Sequence, residues 1–269
     1  MLPLGLKVLL GKAENPPVSK MSRPKSQPTI SDWLKFNGLT REAVLRQLAL
    51  VERVDAPDNS ELQIHLGLTA DEAWALCAAA MRAVFPGLKP EIDQIEAGAP
   101  KCLQPKSIKH PEPFTYDLGF QKLPFVSLHY LDRPDDLLAM AHEFGHAVQI
   151  AASWQSGDEQ MPPVARETCA FLGELAVILY SQNRFSCLPF AHRKADVNYF
   201  GDKTQELKTA IQGSLTPYRY GWNYPIARIV VRRIRLAPGQ AAFLFKAGRN
   251  GGQVLAELIS GSLEKEVAA

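Results

Sequence analysis

The chain has 269 residues, of which 46% are hydrophobic and 22% are charged, and its formal net charge is +2. These fractions are typical of a globular protein, and the small net charge gives no reason to expect nucleic acid as a partner. The sequence lacks a run of about 20 apolar residues, so neither a transmembrane span nor a membrane partner is predicted.

The N-terminal segment and the cysteines bear on localisation. Residues 1–28 contain five basic residues, one acidic residue and several prolines, which predicts a disordered basic tail. A role for that tail in targeting or export stays open. The four cysteines form no Cys-x-x-Cys pair and no dense framework, so reduced thiols in the cytoplasm are expected. Residues 29–269 are predicted to form a single domain.

The first part of that domain is predicted to be helical. Thr69 and Glu72 have the spacing of a capping box, in which each side chain binds the backbone N–H of the other residue. The helix that they begin must stop before Pro86. Helices are predicted at residues 30–36, 40–54, 70–85 and 90–97, the last inside a loop at 86–114 that is rich in proline and charged residues.

Residues 124–130 (Pro-Phe-Val-Ser-Leu-His-Tyr) predict a β-strand, because they are rich in β-branched and aromatic residues. Two interpretations remain open. The strand could offer a free edge to which an extended peptide pairs through main-chain hydrogen bonds, or it could pack within a hairpin. The isolated His129 is expected to face solvent or substrate and not to bind a metal.

The most informative motif is His142-Glu143-Phe144-Gly145-His146, within a helix predicted at about 134–153. Residues four apart lie on one face of a helix, so the two imidazoles can bind one Zn²⁺. Glu143 is then placed to act as general base on a zinc-activated water. A zinc site that catalyses hydrolysis needs three protein ligands and one open position, so a third ligand is required.

Glu167 is the predicted third ligand. It lies one turn inside a helix that starts after two prolines and ends near Tyr180. Glu174 follows seven residues later on the same face, where it can hold a ligand histidine through the free ring nitrogen. Cys169 is expected to be a buried residue that points away from the metal. The alternative interpretation is a hydrogen-bonded histidine pair with ordinary surface glutamates.

The rest of the chain is also predicted to be helical, which makes the fold class mainly α with a small β element. Pro225 is expected to break or kink one of these helices. Four arginines at positions 228, 232, 233 and 235 are interpreted as a solvated face. The helices are predicted at about 190–213, 218–236, 238–246 and 253–260.

Two further stretches complete a family pattern: the aromatic run at 218–222 and the glycine-containing stretch at 245–259. Together with residues 124–147 and 167–174, they resemble the thimet oligopeptidase and oligoendopeptidase F family of zinc peptidases. The resemblance is strongest over residues 115–262. It implies a gluzincin-type zinc metallopeptidase domain that acts as an endopeptidase on peptides or unfolded segments. The roles that it implies are His142, His146 and Glu167 as ligands of one Zn²⁺ per chain, Glu143 as base, and Tyr218, Tyr220 or both as donors to the oxyanion.

Three departures from the family pattern limit this expectation. Gln149 stands where many members have a further histidine. No histidine follows His192, so Gln212 or Ser214 lies about where members have a substrate-contacting histidine. Family members are also more than twice as long, and their N-terminal half walls in a deep channel.

These departures leave two functions open. The first is a compact zinc endopeptidase whose cleft is open or is walled by a second subunit of a homo-oligomer. The second is a catalytically silent zinc-binding protein, derived from the same fold, that binds peptides or regulates a partner. Glu143 favours the enzyme, because a structural zinc site needs no base and usually fills its fourth position with a protein ligand.

Overall fold

The computed structural model describes residues 27–49, 51, 64–154, 160–213, 215–234 and 238–260. The predicted tail therefore lies outside the described residues except for positions 27 and 28, and Ser214 also lies outside them. The described part is mainly α-helical with one small three-stranded sheet, which confirms the predicted fold class. No helix within these ranges is both long and apolar enough to cross a membrane.

The helices occur along most of the chain, and all three strands lie between the fourth and the fifth α-helix of the described residues. Single turns of 3-10 helix occur at Pro86–Leu88, Tyr220–Trp222 and Gly248–Asn250. The α-helices of the described residues are α1 (Ile30–Phe36), α2 (Arg41–Ala49), α3 (Ala70–Val84), α4 (Lys89–Gly98), α5 (Pro134–Ser153), α6 (Pro163–Ser181), α7 (Leu188–Phe200), α8 (Asp202–Gln212), α9 (Asn223–Ile234), α10 (Pro238–Lys246) and α11 (Gly251–Ser260).

Local signals explain where several helices begin. The predicted capping box of α3 is present, since the backbone N–H of Thr69 donates to Glu72 Oε2 at 2.8 Å and Thr69 Oγ1 accepts from the N–H of Glu72. Pro225 lies in the first turn of α9, where a missing N–H costs no hydrogen bond. The prediction that Pro225 breaks or kinks a helix is therefore wrong. The single helix predicted at 190–213 is instead two helices separated by Gly201, whose ψ of −116° is not helical.

The sheet has the strand order β1–β3–β2, with β1 at Lys101–Cys102, β2 at Phe114–Tyr116 and β3 at Phe125–Ser127. β3 pairs in parallel with β1 and antiparallel with β2. The strand predicted at 124–130 is therefore shorter and central, and its interpretation as a free edge for substrate is wrong. Its backbone groups already pair with strands on both sides. The antiparallel pairing with β2 agrees with the other interpretation, a strand packed within a hairpin.

Two glycines set the close packing of α5 against α6. A Cβ atom at Gly145 would lie 2.8 Å from the carbonyl oxygen of Cys169, and one at Gly173 would collide with the carbonyl oxygen of Ala141. Such distances are shorter than real carbon–oxygen contacts, so only glycine allows the two backbones to meet here. This contact brings the His-Glu-x-x-His motif of α5 next to Glu167 of α6.

Candidate metal centre

The three predicted ligands meet between α5 and α6. His142 Nε2 lies 3.2 Å from Glu167 Oε2, and His146 Nε2 lies 3.7 Å from Glu167 Oε1. One potential ligand atom of each residue lies within 4.8 Å of those of the other two. Within the described ranges, this is the group of His, Cys, Asp and Glu residues that has the geometry to hold a metal ion.

The chemistry of these residues fits a zinc ion. Glu167 is almost completely buried, and its Oε2 atom has no hydrogen-bond partner among the described residues although His142 Nε2 is close. The imidazole nitrogen and the carboxylate oxygen therefore lie close together, but their geometry is not that of a hydrogen bond. Two imidazole nitrogens and one carboxylate oxygen form a donor set typical of zinc enzymes, and they leave a fourth position for a reactant.

Glu174 interacts with His142 through Nδ1, the ring nitrogen that is not close to Glu167. His142 Nδ1 and Glu174 Oε1 lie 2.8 Å apart, as expected for the predicted contact. A proton on Nδ1 satisfies this hydrogen bond and leaves the lone pair of Nε2 free to bind a metal. The carboxylate thus fixes both the tautomer of the ring and its orientation.

A buried arginine anchors Glu174 in turn. Arg228 is fully buried, and its Nη1 donates to Glu174 Oε2 at 2.7 Å while its Nε donates to Asp196 Oδ1 at 2.7 Å. Its guanidinium carbon also lies 4.8 Å from the centre of the Phe171 ring. The chain of contacts from Arg228 through Glu174 to His142 links α9, α6 and α5.

The interpretation of the α9 arginines as a solvated face is therefore wrong for Arg228. Its face of the helix packs against α6 and α7, where two carboxylates offset its charge. Arg232 is closer to the predicted solvated arginine, since its side chain is half-exposed, and it pairs with Asp196 at 2.8 Å. The side chain of Arg233 and the whole of Arg235 lie outside the described residues.

Electrostatics at the centre favour positive charge. Burial disfavours the charged form of His142, but the carboxylates of Glu167 and Glu174 outweigh it and raise its pKa to about 10. Burial alone would raise the pKa of Glu174, yet Arg228 and His142 lower it to about 2. The two carboxylates therefore stay ionised, and a divalent cation would supply the positive charge that they favour at this point.

Glu143 lines the same cavity as His142, and its carboxylate is hydrogen-bonded to the sheet. Thr115 Oγ1 donates to Glu143 Oε2 at 2.7 Å and also lies 2.9 Å from its backbone oxygen. Thr115 belongs to β2, so the edge strand of the sheet orients this carboxylate. The contact engages one carboxylate oxygen and leaves Oε1 for another partner.

The two candidate tyrosines have different positions. The hydroxyl of Tyr220 donates to Glu167 Oε1 at the centre itself. The hydroxyl of Tyr218 instead accepts a hydrogen bond from Asn223 Nδ2 at 2.6 Å. Asn223 is fully buried, and its Oδ1 accepts a 2.7 Å hydrogen bond from Trp33 Nε1. Helix α1 is thereby linked to Tyr218 through Asn223.

The fold that contains this site is similar to that of several solved structures. No protein-family model matches the sequence, and curated proteins give no significant match. A Bacillus anthracis protein described as an oligoendopeptidase F matches 81% of this chain with a TM-score of 0.53 and 17% identity. PZ peptidase A with an inhibitor matches 88% of the chain with a TM-score of 0.53 and 14% identity.

The chain has the oligoendopeptidase F fold. The resemblance predicted from the sequence is confirmed at this level. A further structure described as oligoendopeptidase F gives a TM-score of 0.51 at 14% identity over 88% of the chain. These matches cover 52% to 55% of the other proteins, so the chain spans about half the length of the solved structures that it resembles.

In this oligoendopeptidase F fold, a cavity of about 300 Å³ adjoins the metal centre. His142, Glu143, Tyr199 and Tyr224 are among the residues that line it. Lys194 also lines the cavity, and its ammonium group pairs with Asp135 at 3.1 Å. The cavity gives a ligand access to Glu143 and to the face of His142.

Several residues of the site were not predicted from the sequence. Thr115 lies in a proline-rich segment with no motif around it, and nothing local marks it as the partner of Glu143. Tyr224 had a usable signal, because it follows Tyr220 by four residues and such spacing places two side chains on one helical face. The Nε2 atom of His129 is buried and has no hydrogen-bond partner among the described residues, so this atom does not face solvent as the sequence analysis expected.

Proposed function

We propose that this chain is a zinc-dependent peptidase that hydrolyses internal peptide bonds of peptides or unfolded segments. One observation carries the proposal: the potential ligand atoms of His142, His146 and Glu167 lie within 4.8 Å of one another, and Glu143 lines the same cavity as His142. This arrangement lies in a peptidase fold. His142, His146 and Glu167 are the proposed zinc ligands, with one Zn²⁺ per chain.

Glu143 is the proposed general base. A zinc ion held by the three ligands would polarise the peptide carbonyl and lower the pKa of water towards 7. Glu143 takes the proton of the attacking water on Oε1, since Thr115 already donates to Oε2. It then passes that proton to the nitrogen of the leaving amine. Thr115 keeps the carboxylate in one orientation during both transfers.

Tyr220 is the proposed donor to the oxyanion. Burial and the charge of Glu167 raise the pKa of Tyr220, so its hydroxyl keeps its proton at neutral pH. In the substrate complex, this hydroxyl would move its hydrogen bond from Glu167 to the carbonyl oxygen of the scissile bond. A donor aimed at a developing oxyanion contributes about 3 kcal/mol to the stability of the transition state. Tyr218 is proposed to support Tyr220 through Asn223.

The test combines metal analysis with a search for products. The purified protein is loaded with zinc, its metal content is measured, and it is incubated with a mixed peptide library that is read by mass spectrometry. We expect one zinc ion per chain and internal cleavage that stops when a chelator removes the metal. Glu143→Gln is expected to keep the zinc and to cleave roughly 10²–10⁴-fold more slowly.

The same experiment separates the competing function. A protein that binds one zinc ion per chain but leaves every peptide of the library intact would be the catalytically silent zinc-binding protein. Cleavage by Glu143→Gln at the parental rate would show that the assigned base is wrong.

A further inference from the structure

A half-buried lysine lies against the tyrosines of the site. The Nζ atom of Lys203 lies 4.8 Å from the ring centre of Tyr224 and 5.1 Å from that of Tyr199. Both rings line the cavity that contains Glu143. The carbon chain of Lys203 also passes Gly221, where an added Cβ would lie 3.7 Å from its Cε atom. Lys203 therefore lies next to the segment that carries the aromatic run.

This ammonium group has no carboxylate within ion-pair distance among the described residues. The acid whose charge acts on it is Glu206, and the carboxylate of Glu206 pairs with the exposed Arg219 at 3.2 Å. Burial lowers the pKa of Lys203, which means that its charge is incompletely solvated. The faces of the two tyrosine rings offset only part of that cost.

A second cation acts on the tyrosine segment. Arg166 directly precedes the ligand Glu167 on α6, and its charge acts on both Tyr218 and Tyr220. Within the part of the chain that the structure describes, its guanidinium forms no ion pair with a carboxylate. Among the described residues, no carboxylate forms an ion pair with Lys203 or with Arg166, and both charges act on tyrosines of this segment.

The acids that line the cavity do not offset the charge of Lys203. They are Glu112, Asp135, Glu143 and Glu174. Asp135 pairs with Lys194, Glu143 accepts a hydrogen bond from Thr115, and Glu174 pairs with Arg228. The charge of Glu112 acts on the hydroxyl of Tyr224, whereas Glu206 is the acid that acts on Lys203. An anionic group of a ligand would therefore be favoured beside Lys203.

We propose that Lys203 binds a carboxylate of the peptide substrate. The proposal rests on the peptidase function and defines its substrates further. Lys203 does not line the cavity itself, but Tyr199 and Tyr224, whose rings its ammonium group contacts, do. A peptide that extends from Glu143 past these two rings would bring a carboxylate to Lys203. Two groups of a peptide share this chemistry: its C-terminal carboxylate and the side chain of an aspartate or glutamate.

The test compares matched peptides. Each peptide found in the library search is prepared as the free acid and as the C-terminal amide, and any glutamate near the cleaved bond is replaced by glutamine. We expect the charged form to be cleaved with a kcat/KM roughly 10- to 100-fold higher than its neutral counterpart. The pair that shows the difference, acid against amide or glutamate against glutamine, identifies the carboxylate that Lys203 binds.

Variants assign the effect to Lys203. Lys203→Met should abolish the preference for the charged peptide, and Lys203→Arg should keep most of it. Lys208→Met is the matched control, because it removes the same charge from the same helix and should leave the preference intact. A parental enzyme without preference in either pair, or a preference that survives in Lys203→Met, would overturn the proposal.

A binding measurement keeps the result separate from the peptidase assignment. Fluorescence anisotropy of labelled peptides on zinc-loaded Glu143→Gln reports affinity without turnover. Tighter binding of the charged peptide, lost when Lys203→Met is added, supports the subsite even if the parental protein cleaves nothing. Equal affinity for charged and neutral peptides would contradict the subsite, whereas cleavage without any such preference would leave the peptidase function intact.

Discussion

Gly173 of α6 faces Ala141 of α5 so closely that a methyl group on Gly173 would collide with the carbonyl oxygen of Ala141. Ala141 directly precedes the proposed ligand His142, and Gly173 directly precedes Glu174, which holds that ligand. The positions of the proposed metal ligands therefore depend on the close approach of two backbones, and not only on the ligand side chains themselves.

Gly173→Ala should accordingly weaken metal binding. The new methyl group would push the helices apart and move the imidazoles of α5 away from Glu167. We expect a loss of about 1–3 kcal/mol in the free energy of unfolding and a zinc dissociation constant roughly tenfold or more higher. Urea unfolding and competition with a chelator measure the two quantities. Gly87→Ala is the control, since the nearest atom to its new Cβ would be Ala242 Cβ at an ordinary 3.9 Å. Unchanged zinc affinity in Gly173→Ala would show that the ligands do not need this close packing.

Arg228→Met should destabilise the protein through Glu174. Removing the guanidinium leaves the carboxylates of Glu174 and Asp196 buried without their main partner, which costs about 3–5 kcal/mol. Because Glu174 also holds His142, zinc affinity should fall as well. Arg232→Met is the matched control: it removes a half-exposed arginine that pairs with Asp196 and does not reach Glu174, so both effects should be smaller. Equal losses in the two variants would contradict this account.

The two tyrosines should respond differently to the loss of a hydroxyl group. Tyr220→Phe is expected to lower kcat by roughly 10²–10³-fold while zinc stays bound, because the proposed donor to the oxyanion is gone. Tyr218→Phe removes only the hydrogen bond with Asn223, so it should cost about 1 kcal/mol in stability and much less in kcat. Steady-state kinetics with one library peptide, beside metal analysis, decides between them. A larger loss of kcat in Tyr218→Phe would reverse the assignment.

The parts of the site that the sequence predicted depend on short spacings. His142 and His146 are four residues apart, and Glu167 and Glu174 are seven apart, so helical periodicity alone places each pair on one face. The capping box at Thr69 is equally local. These features need no knowledge of the tertiary structure, which is why they could be predicted.

The contacts that were not predicted are between residues far apart in the sequence. Thr115 and Glu143 are 28 positions apart, Arg228 and Glu174 are 54 apart, and Trp33 and Asn223 are 190 apart. No local pattern marks such partners. The strands that pair with β3 were not predicted for a related reason, since they have only two and three residues and lie in segments without a strand pattern of their own. An arginine among other arginines likewise carries no sign that its helix face will be buried.

Acid should destabilise the folded protein through His192. Burial and the nearby charge of Arg228 lower the pKa of His192 to about 4, against 6.5 for an unperturbed histidine. Between these values the unfolded chain binds a proton that the folded chain does not, so stability is lost as the pH falls from about 6.5 to about 4. Urea unfolding of the metal-free protein should show this loss, and it should be smaller in His192→Gln by up to about 1.4 kcal/mol per pH unit. Because His142 and the carboxylates titrate in both proteins, the difference between them isolates His192. Parallel stability curves for the parent and the variant across this pH range would show that folding leaves the pKa of His192 unchanged.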